Sequence, residues 1–244
     1  MNYPRHYFVT GTDTGVGKTL VSSLLLHHLR RTNRSAIYMK PVQTGCLGSA
    51  TDVLAPDVEY VYTANACPVP EPFHRAICPY RLMLPASPHL AAEEEGVSIS
   101  VDRITTAFES LRDHFEYCIL EGAGGILVPL SRDLFMLDLM KALALPVIVV
   151  CRPALGTLNH TLMTLNLIRA AGLVVHGLVV VHTVPASDDP TEQAIIADNL
   201  QTLEQLGQTA IIACLPYISG LQDPMQARAW LNDAAPVLNG VTDV

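Results

Sequence analysis

The chain has 244 residues, 50% of them hydrophobic, and a formal net charge of −8. That length and apolar content suit one sizeable α/β domain and exclude a disordered chain. The acidic balance argues against a nucleic-acid backbone as the main partner and leaves room only for a local basic pocket.

In chain order, a predicted strand at His6–Thr10 runs into a helix at Lys18–Arg31, and a second strand follows at Ala36–Lys40. Residues 45–96 are rich in proline and show little periodicity; they read either as a surface excursion with short helices or as an irregular insertion that covers the substrate side of the site. A regular rhythm then returns: helix Val101–His114, strand Tyr117–Glu121, helix Leu134–Ala144 and strand Pro146–Cys151. Helix Asn159–Ala171, strand Val174–Val181, helix Thr191–Leu206 and strand Ala210–Cys214 complete it. Val147–Val150 is apolar throughout, as befits a parallel strand covered on both faces. The alternation predicts a single domain over 1–244, a doubly wound, mostly parallel sheet flanked by helices, with ligands at the carboxyl ends of the strands.

The six cysteines form no C-x-x-C pair, and Cys118, Cys151 and Cys214 lie in apolar runs where a thiol acts as a small core hydrophobe. Met1 leads into a strand without the apolar region of a signal peptide. The longest apolar stretches, Leu143–Cys151 and Leu173–Val181, are interrupted by Pro146 and His176 and too short to span a bilayer. A cytoplasmic protein without membrane contact is expected.

Three clusters carry chemistry. The first is Gly11-Thr12-Asp13-Thr14-Gly15-Val16-Gly17-Lys18-Thr19, a glycine-rich turn between a strand and a helix. Such a P-loop wraps phosphates with backbone N–H groups, adds the helix dipole, brings a lysine to the β- and γ-phosphates and offers a hydroxyl to Mg²⁺. Five residues separate Gly11 from Gly17, one more than in the usual P-loop. The second cluster, Tyr38–Gly45, places Lys40 at a strand end on the same rim, before a Pro-x-x-x-Gly turn. The third, Tyr117–Gly125, is a strand ending in Glu121 followed by glycines. An acid there can approach Mg²⁺, and Gly122, Gly124 and Gly125 leave bare backbone for a substrate.

With these clusters in view, the chain resembles the dethiobiotin synthetases, P-loop enzymes of biotin synthesis. The resemblance rests on Val9–Thr19, Lys40–Gly45, Ser87-Pro88-His89, Glu121–Gly125, Pro129-Leu130-Ser131, Leu145-Pro146-Val147 and Leu155–His160. The longer loop is itself characteristic of that family. The resemblance implies ATP-dependent carboxylation and ring closure of 7,8-diaminopelargonate with CO₂, through a carbamate and its phosphoric anhydride.

By the same matching, Thr12, Asp13, Thr14, Gly15, Val16, Gly17, Lys18, Thr19 and Leu20 contact the nucleotide. Lys18, Lys40 and Thr14 serve catalysis, and Lys40, Thr44 and Gly124 meet the substrate. Mg²⁺ is implied at Thr19, Glu121 and an aspartate; Asp52 and Asp57 both qualify, and the family's spacing from Lys40 favours Asp57. The family's homodimer implies that Gly156, Thr157 and Asn159 bind the substrate's carboxylate tail beside the partner's site. Pro216 and Tyr217 wall the base pocket. His182 stands where the family often carries an Asn that reads adenine, which predicts weaker base selectivity.

The main competing class is a MinD/ParA-like ATPase switch. Such proteins carry an additional lysine early in the loop, whereas no lysine lies between Met1 and Gly17 here. The stretch Gln226–Val244 also lacks a basic amphipathic pattern for a membrane surface.

Overall fold

A computed structural model describes residues 5–49 and 52–234. Strand β1 (His6–Gly11) leads to helix α1 (Lys18–Arg31) and strand β2 (Ala36–Met39). The excursion then holds β3 (Val42–Gln43), β4 (Leu47–Ser49), β5 (Asp52–Leu54), α2 (Pro56–Ala64), α3 (His74–Ile77), β6 (Tyr80–Arg81) and α4 (Pro88–Glu94). The alternating part follows: α5 (Val101–Arg112), β7 (Tyr117–Gly125), α6 (Met136–Leu143), β8 (Val147–Cys151), α7 (Thr157–Ala170) and β9 (Val175–Val181). It closes with α8 (Pro190–Gly207), β10 (Ile211–Leu215) and α9 (Pro224–Ala234).

Six strands form one sheet in the order β10-β9-β8-β1-β7-β2, and every adjacent pair in it is parallel. All of β8 and β2 is buried, which is why those segments read as continuous apolar runs. Helix α5 turns Ile104, Phe108 and Leu111 inward at helical spacing, whereas α1 is buried all round, with Val21–Leu26 wholly covered. Because β1 lies between β7 and β8, the loop leaving its carboxyl end opens where neighbouring strands belong to different crossovers. Ligands collect at such a point.

The proline-rich excursion is more regular than its sequence suggests. Pro56 and Pro88 sit in the first turns of α2 and α4, where the missing N–H has no helical partner to lose. The segment is stitched beside the site: Lys40 N–H donates to Ile77 O at 2.8 Å, Cys46 N–H to Leu82 O at 3.0 Å, and β3 pairs with β6.

The cysteine reading holds for Cys118 and Cys151, both wholly buried, and fails for Cys214, which is exposed on the edge strand β10. Among the described residues no helix is long and apolar enough to cross a membrane. Residues 235–244, part of the C-terminal stretch weighed above, lie outside the described residues.

Candidate active site

The loop between β1 and α1 is shaped for a phosphate. Gly17 caps α1 at φ +101° with no side chain over the helix end, and a Cβ there would lie 2.9 Å from Val181 Cγ1. Only glycine fits both demands, and the N–H groups of the first turn are left facing the loop. Lys18 folds back so that Nζ donates to Asp13 O at 2.8 Å. Burial pushes its pKa down to about 8, against the opposing pull of Glu121.

The strands on either side supply the charges. Lys40 leaves the end of β2 and Glu121 stands within β7, and both are buried. Lys40 Nζ lies 2.7 Å from Glu121 Oε1, 2.7 Å from Asp57 Oδ2 and 3.2 Å from Gly122 O. Burial alone would depress this lysine, but the Glu121 and Asp57 carboxylates outweigh it and hold the ammonium well above its ordinary pKa. Thr19 Oγ1 donates to the same Glu121 Oε1 at 2.9 Å, while Tyr38 Oη donates to Oε2 at 2.9 Å. Burial, with Glu121 beside it, keeps the Tyr38 phenol well above its usual range, so it remains the donor.

Two adjoining cavities share Gly15, Gly17, Thr19 and Asp57 in their walls. The first, of about 760 Å³, brings together Thr14, Lys18, Lys40, Thr44, Glu121 and Gly124, and the excursion closes it with Pro85–Pro88. The second, of about 600 Å³, brings Leu20, His182, Pro216 and Tyr217 together. Thr12 and Val16 shape the loop from beneath: Thr12 N–H donates to Val150 O at 3.0 Å and Val16 is fully buried. Asp13 caps the turn by accepting from Thr14 N–H at 2.7 Å and faces Arg152 at 3.6 Å.

Gly156, Thr157 and Asn159 do not line either cavity; they form the start of α7, where Gly156 caps the helix without a side chain and Asn159 is exposed. Of the three glycines expected to face substrate, only Gly124 lines the first cavity. A Cβ at Gly122 would lie 3.1 Å from Phe8 Cε1, and one at Gly125 would lie 3.4 Å from Gly11 O, so both instead permit tight packing of β7 on β1. Asp57 reaches the site from the second residue of α2, ahead of any capping role, since Ala55 is the N-cap. The Asp52 side chain lies outside the described residues.

Sequence reasoning missed Tyr38, Tyr60 and Gln222. Tyr38 precedes Lys40 by two on a strand, hence on the same face, and that period was the available signal. Tyr60 follows Asp57 by three on α2, lines the second cavity and ties it together by donating to Leu221 O at 2.6 Å. Gln222 lines the same cavity from a loop, and no pattern marks it.

The donor set fits a hard divalent cation. Glu121 Oε1, Asp57 Oδ2 and Thr19 Oγ1 are all oxygens, and one nitrogen, Lys40 Nζ, already lies 2.7 Å from both carboxylates. Mg²⁺ is held by such sets, with one or two carboxylates and the remaining positions taken by phosphate and water.

A glycine-rich loop on the carboxyl edge of a parallel sheet, with Lys18 at its helix start and Glu121 on the neighbouring strand, defines a P-loop nucleoside triphosphatase fold. Residues 5–225 match the family model described as AAA domain. Solved structures with this fold include a chain of the MinC:MinD cell division protein complex of Aquifex aeolicus, with TM-score 0.62, 13% identity, and coverage of 97% of this chain and 96% of that one. A ParA family ATPase from Chlorobium tepidum aligns with TM-score 0.59 and 13% identity over 99% of this chain and 100% of its own. At that identity the likeness speaks for the fold alone.

Sequence relatives are more telling. The ATP-dependent dethiobiotin synthetase BioD of Aromatoleum aromaticum is 39% identical over 231 residues, 95% of this chain and 98% of its own. That of Thermodesulfovibrio yellowstonii is 36% identical, covering 88% and 90%. The chain belongs to the ATP-dependent dethiobiotin synthetase family.

Proposed function

We propose that the first cavity is where ATP and 7,8-diaminopelargonate meet, and that this chain's residues divide the family's reaction as follows. One amine of the diamine takes up CO₂ and loses a proton, giving a carbamate. A carbamate oxygen attacks the γ-phosphorus of ATP, the bond to the β-phosphate oxygen breaks, and ADP leaves. The second amine attacks the carbamoyl carbon of the resulting anhydride, releasing phosphate and closing the cyclic urea. The substrate supplies both nucleophiles, so the site needs cations and hydrogen-bond donors more than an activated side chain.

Lys18 meets the β- and γ-phosphates, with the α1 N-terminus and the loop N–H groups behind it. Lys40 neutralises the carbamate and the phosphoryl group passing to it, and Thr14 and Thr44 orient them by hydrogen bonds. Gly124 lets the substrate lie against backbone. Thr19, Asp57 and Glu121 would hold Mg²⁺, which when bound offsets negative charge on the β- and γ-phosphates. Leu20, Tyr60, Pro216, Tyr217 and His182 enclose the base. The convergence of Lys18, Lys40, Thr14 and Thr44 on one cavity carries this reading.

We further infer a homodimer of cytoplasmic character in which Gly156, Thr157 and Asn159 complete the partner's cavity and hold the substrate's carboxylate. Its support is a set of large apolar side chains left exposed among the described residues: Leu155 is 89% exposed, and Met163 and Leu167 follow at four-residue spacing on α7. Residues 45–96 serve as the substrate-side wall, since Pro85–Pro88 and Asp57 close the first cavity.

The test is to incubate the protein with 7,8-diaminopelargonate, labelled bicarbonate, ATP and Mg²⁺. A labelled, acid-stable cyclic urea is expected, one per ADP formed; its absence from a folded preparation would sink the reading.

A further inference from the structure

We propose that Lys40 and the divalent cation compete for one set of oxygens, so that loading the metal drives the Lys40 ammonium out toward the substrate. The inference rests on the reading that Thr19, Asp57 and Glu121 are the metal's ligands and that Lys40 serves the carbamate.

The geometry leaves no room for both cations. Tyr38 holds Oε2 of Glu121 and so fixes Oε1 as the oxygen turned toward Lys40 and Thr19. Oε1 is already 2.7 Å from Lys40 Nζ and 2.9 Å from Thr19 Oγ1, and Asp57 Oδ2 closes the other side of the same nitrogen at 2.7 Å. A metal using these three oxygens at coordination distance would sit against an ammonium bonded to two of them, in a buried site where like charges repel strongly. Glu121 cannot turn aside to serve the two in sequence, because releasing Oε2 would strand a buried carboxylate oxygen and a buried phenol together. Lys40 has the freedom that Glu121 lacks. Its stem is long, its third contact is the neutral Gly122 carbonyl at 3.2 Å, and Thr44 and Gly124 line the same cavity.

The consequence is an order of events. While its ammonium bridges Asp57 and Glu121, Lys40 is neutralised by them and has little charge to offer a carbamate. Once a metal takes those oxygens, Lys40 is a free cation facing the substrate. The lysine that serves the carbamate is therefore delivered by metal loading.

The experiment is Mn²⁺ titration of the full-length protein, reading free Mn²⁺ by electron paramagnetic resonance without nucleotide. Lys40→Met and Lys40→Gln should each bind Mn²⁺ about tenfold or more tightly than the wild type, because the competing cation is gone. Adding Asp57→Asn to Lys40→Met should remove the gain. Folding-independent support comes from the unmodified protein: acetylation of Lys40, followed by mass spectrometry, should rise as Mg²⁺ is added and stay flat with K⁺ at equal ionic strength. Unchanged Mn²⁺ affinity in a folded Lys40 variant, or Mg²⁺-independent acetylation, overturns the competition. If instead Asp57→Asn alone leaves Mn²⁺ binding in the presence of ADP intact, the ligand set itself is wrong, and the underlying reading fails rather than this inference.

Discussion

Tyr38 Oη lies 2.9 Å from Oε2 of Glu121, two buried groups that fix which oxygen of the carboxylate faces the site. Tyr38 is itself steadied by Tyr62, whose hydroxyl donates to the Tyr38 carbonyl at 3.1 Å. Glu121 therefore presents one oxygen to Lys40 and Thr19 in an orientation set by Tyr38 on one side and the Lys40 ammonium on the other.

Removing that bond should be felt at the metal before it is felt elsewhere. Tyr38→Phe is expected to lose about 1.5–3 kcal/mol of stability, the range for a hydrogen bond to a charged group. The Mg²⁺ concentration giving half-maximal turnover should rise several-fold while the KM for diamine changes little. A Tyr38→Phe enzyme with unaltered Mg²⁺ dependence would reduce Tyr38 to a packing residue.

The two lysines should separate in their kinetics. Lys40→Ala is expected to cut turnover by about a hundredfold or more while nucleotide affinity holds within a few-fold, whereas Lys18→Ala should damage both. Near-full turnover in Lys40→Ala would remove it from the chemistry.

Lys18 also gives the site a proton signature. Its free-protein pKa, lowered to about 8, rises again when a phosphate anion replaces the cost of burial with a counter-charge. Nucleotide binding should therefore take up a proton above about pH 8, and affinity should fall as pH rises through that value. For folding the sign is opposite. The unfolded chain, with Lys18 near its ordinary 10.5, binds more protons than the folded one between about pH 8 and 10.5, so this group makes the free protein more stable as pH rises across that window. Calorimetry of ADP binding at pH 8.5 in buffers of different ionisation enthalpy reads the uptake, and Lys18→Met should abolish it.

A shared site can be tested by complementation. Lys40→Ala and Asn159→Ala, each nearly inactive alone, should recover about a quarter of wild-type activity when co-refolded in equal amounts, since half the dimers are hybrids with one intact site of two. No recovery in a mixture shown by mass spectrometry to contain hybrids would place Asn159 outside the partner's site.

His182 lines the second cavity. His182 is held by its N–H to Leu215 O at 2.9 Å, and its ring nitrogen Nε2 lies 3.7 Å from Cys214 Sγ. An imidazole cannot pair adenine N6 and N7 together as an amide does. Turnover with ATP, GTP and CTP at equal concentration should agree within about tenfold, and His182→Asn should sharpen the preference for ATP. A strict ATP requirement in the unmodified protein would count against this.

Much of the molecule was legible in the chain because the relevant physics is local. The buried strands announce themselves as apolar runs, and the boundaries of α1 coincide with its sequence pattern. The short helices of the excursion could not be placed in the chain because proline disfavours a helix interior yet suits its first turn, and composition does not distinguish the two positions. Cys214 was misplaced because an edge strand and a central strand have the same apolar sequence, and only the strand order says which is covered.

By itself the sequence determined the phosphate loop, since Gly11–Thr19 carries its own conformation, dipole and cation within nine consecutive positions. The tertiary structure decided the charge arrangement. Lys40 and Glu121 stand 81 positions apart, and they meet because β2 and β7 are neighbours in the sheet while α2 returns Asp57 over their ends. Ion pairing depends on distance in space, which a sequence does not record until its strands have found their order.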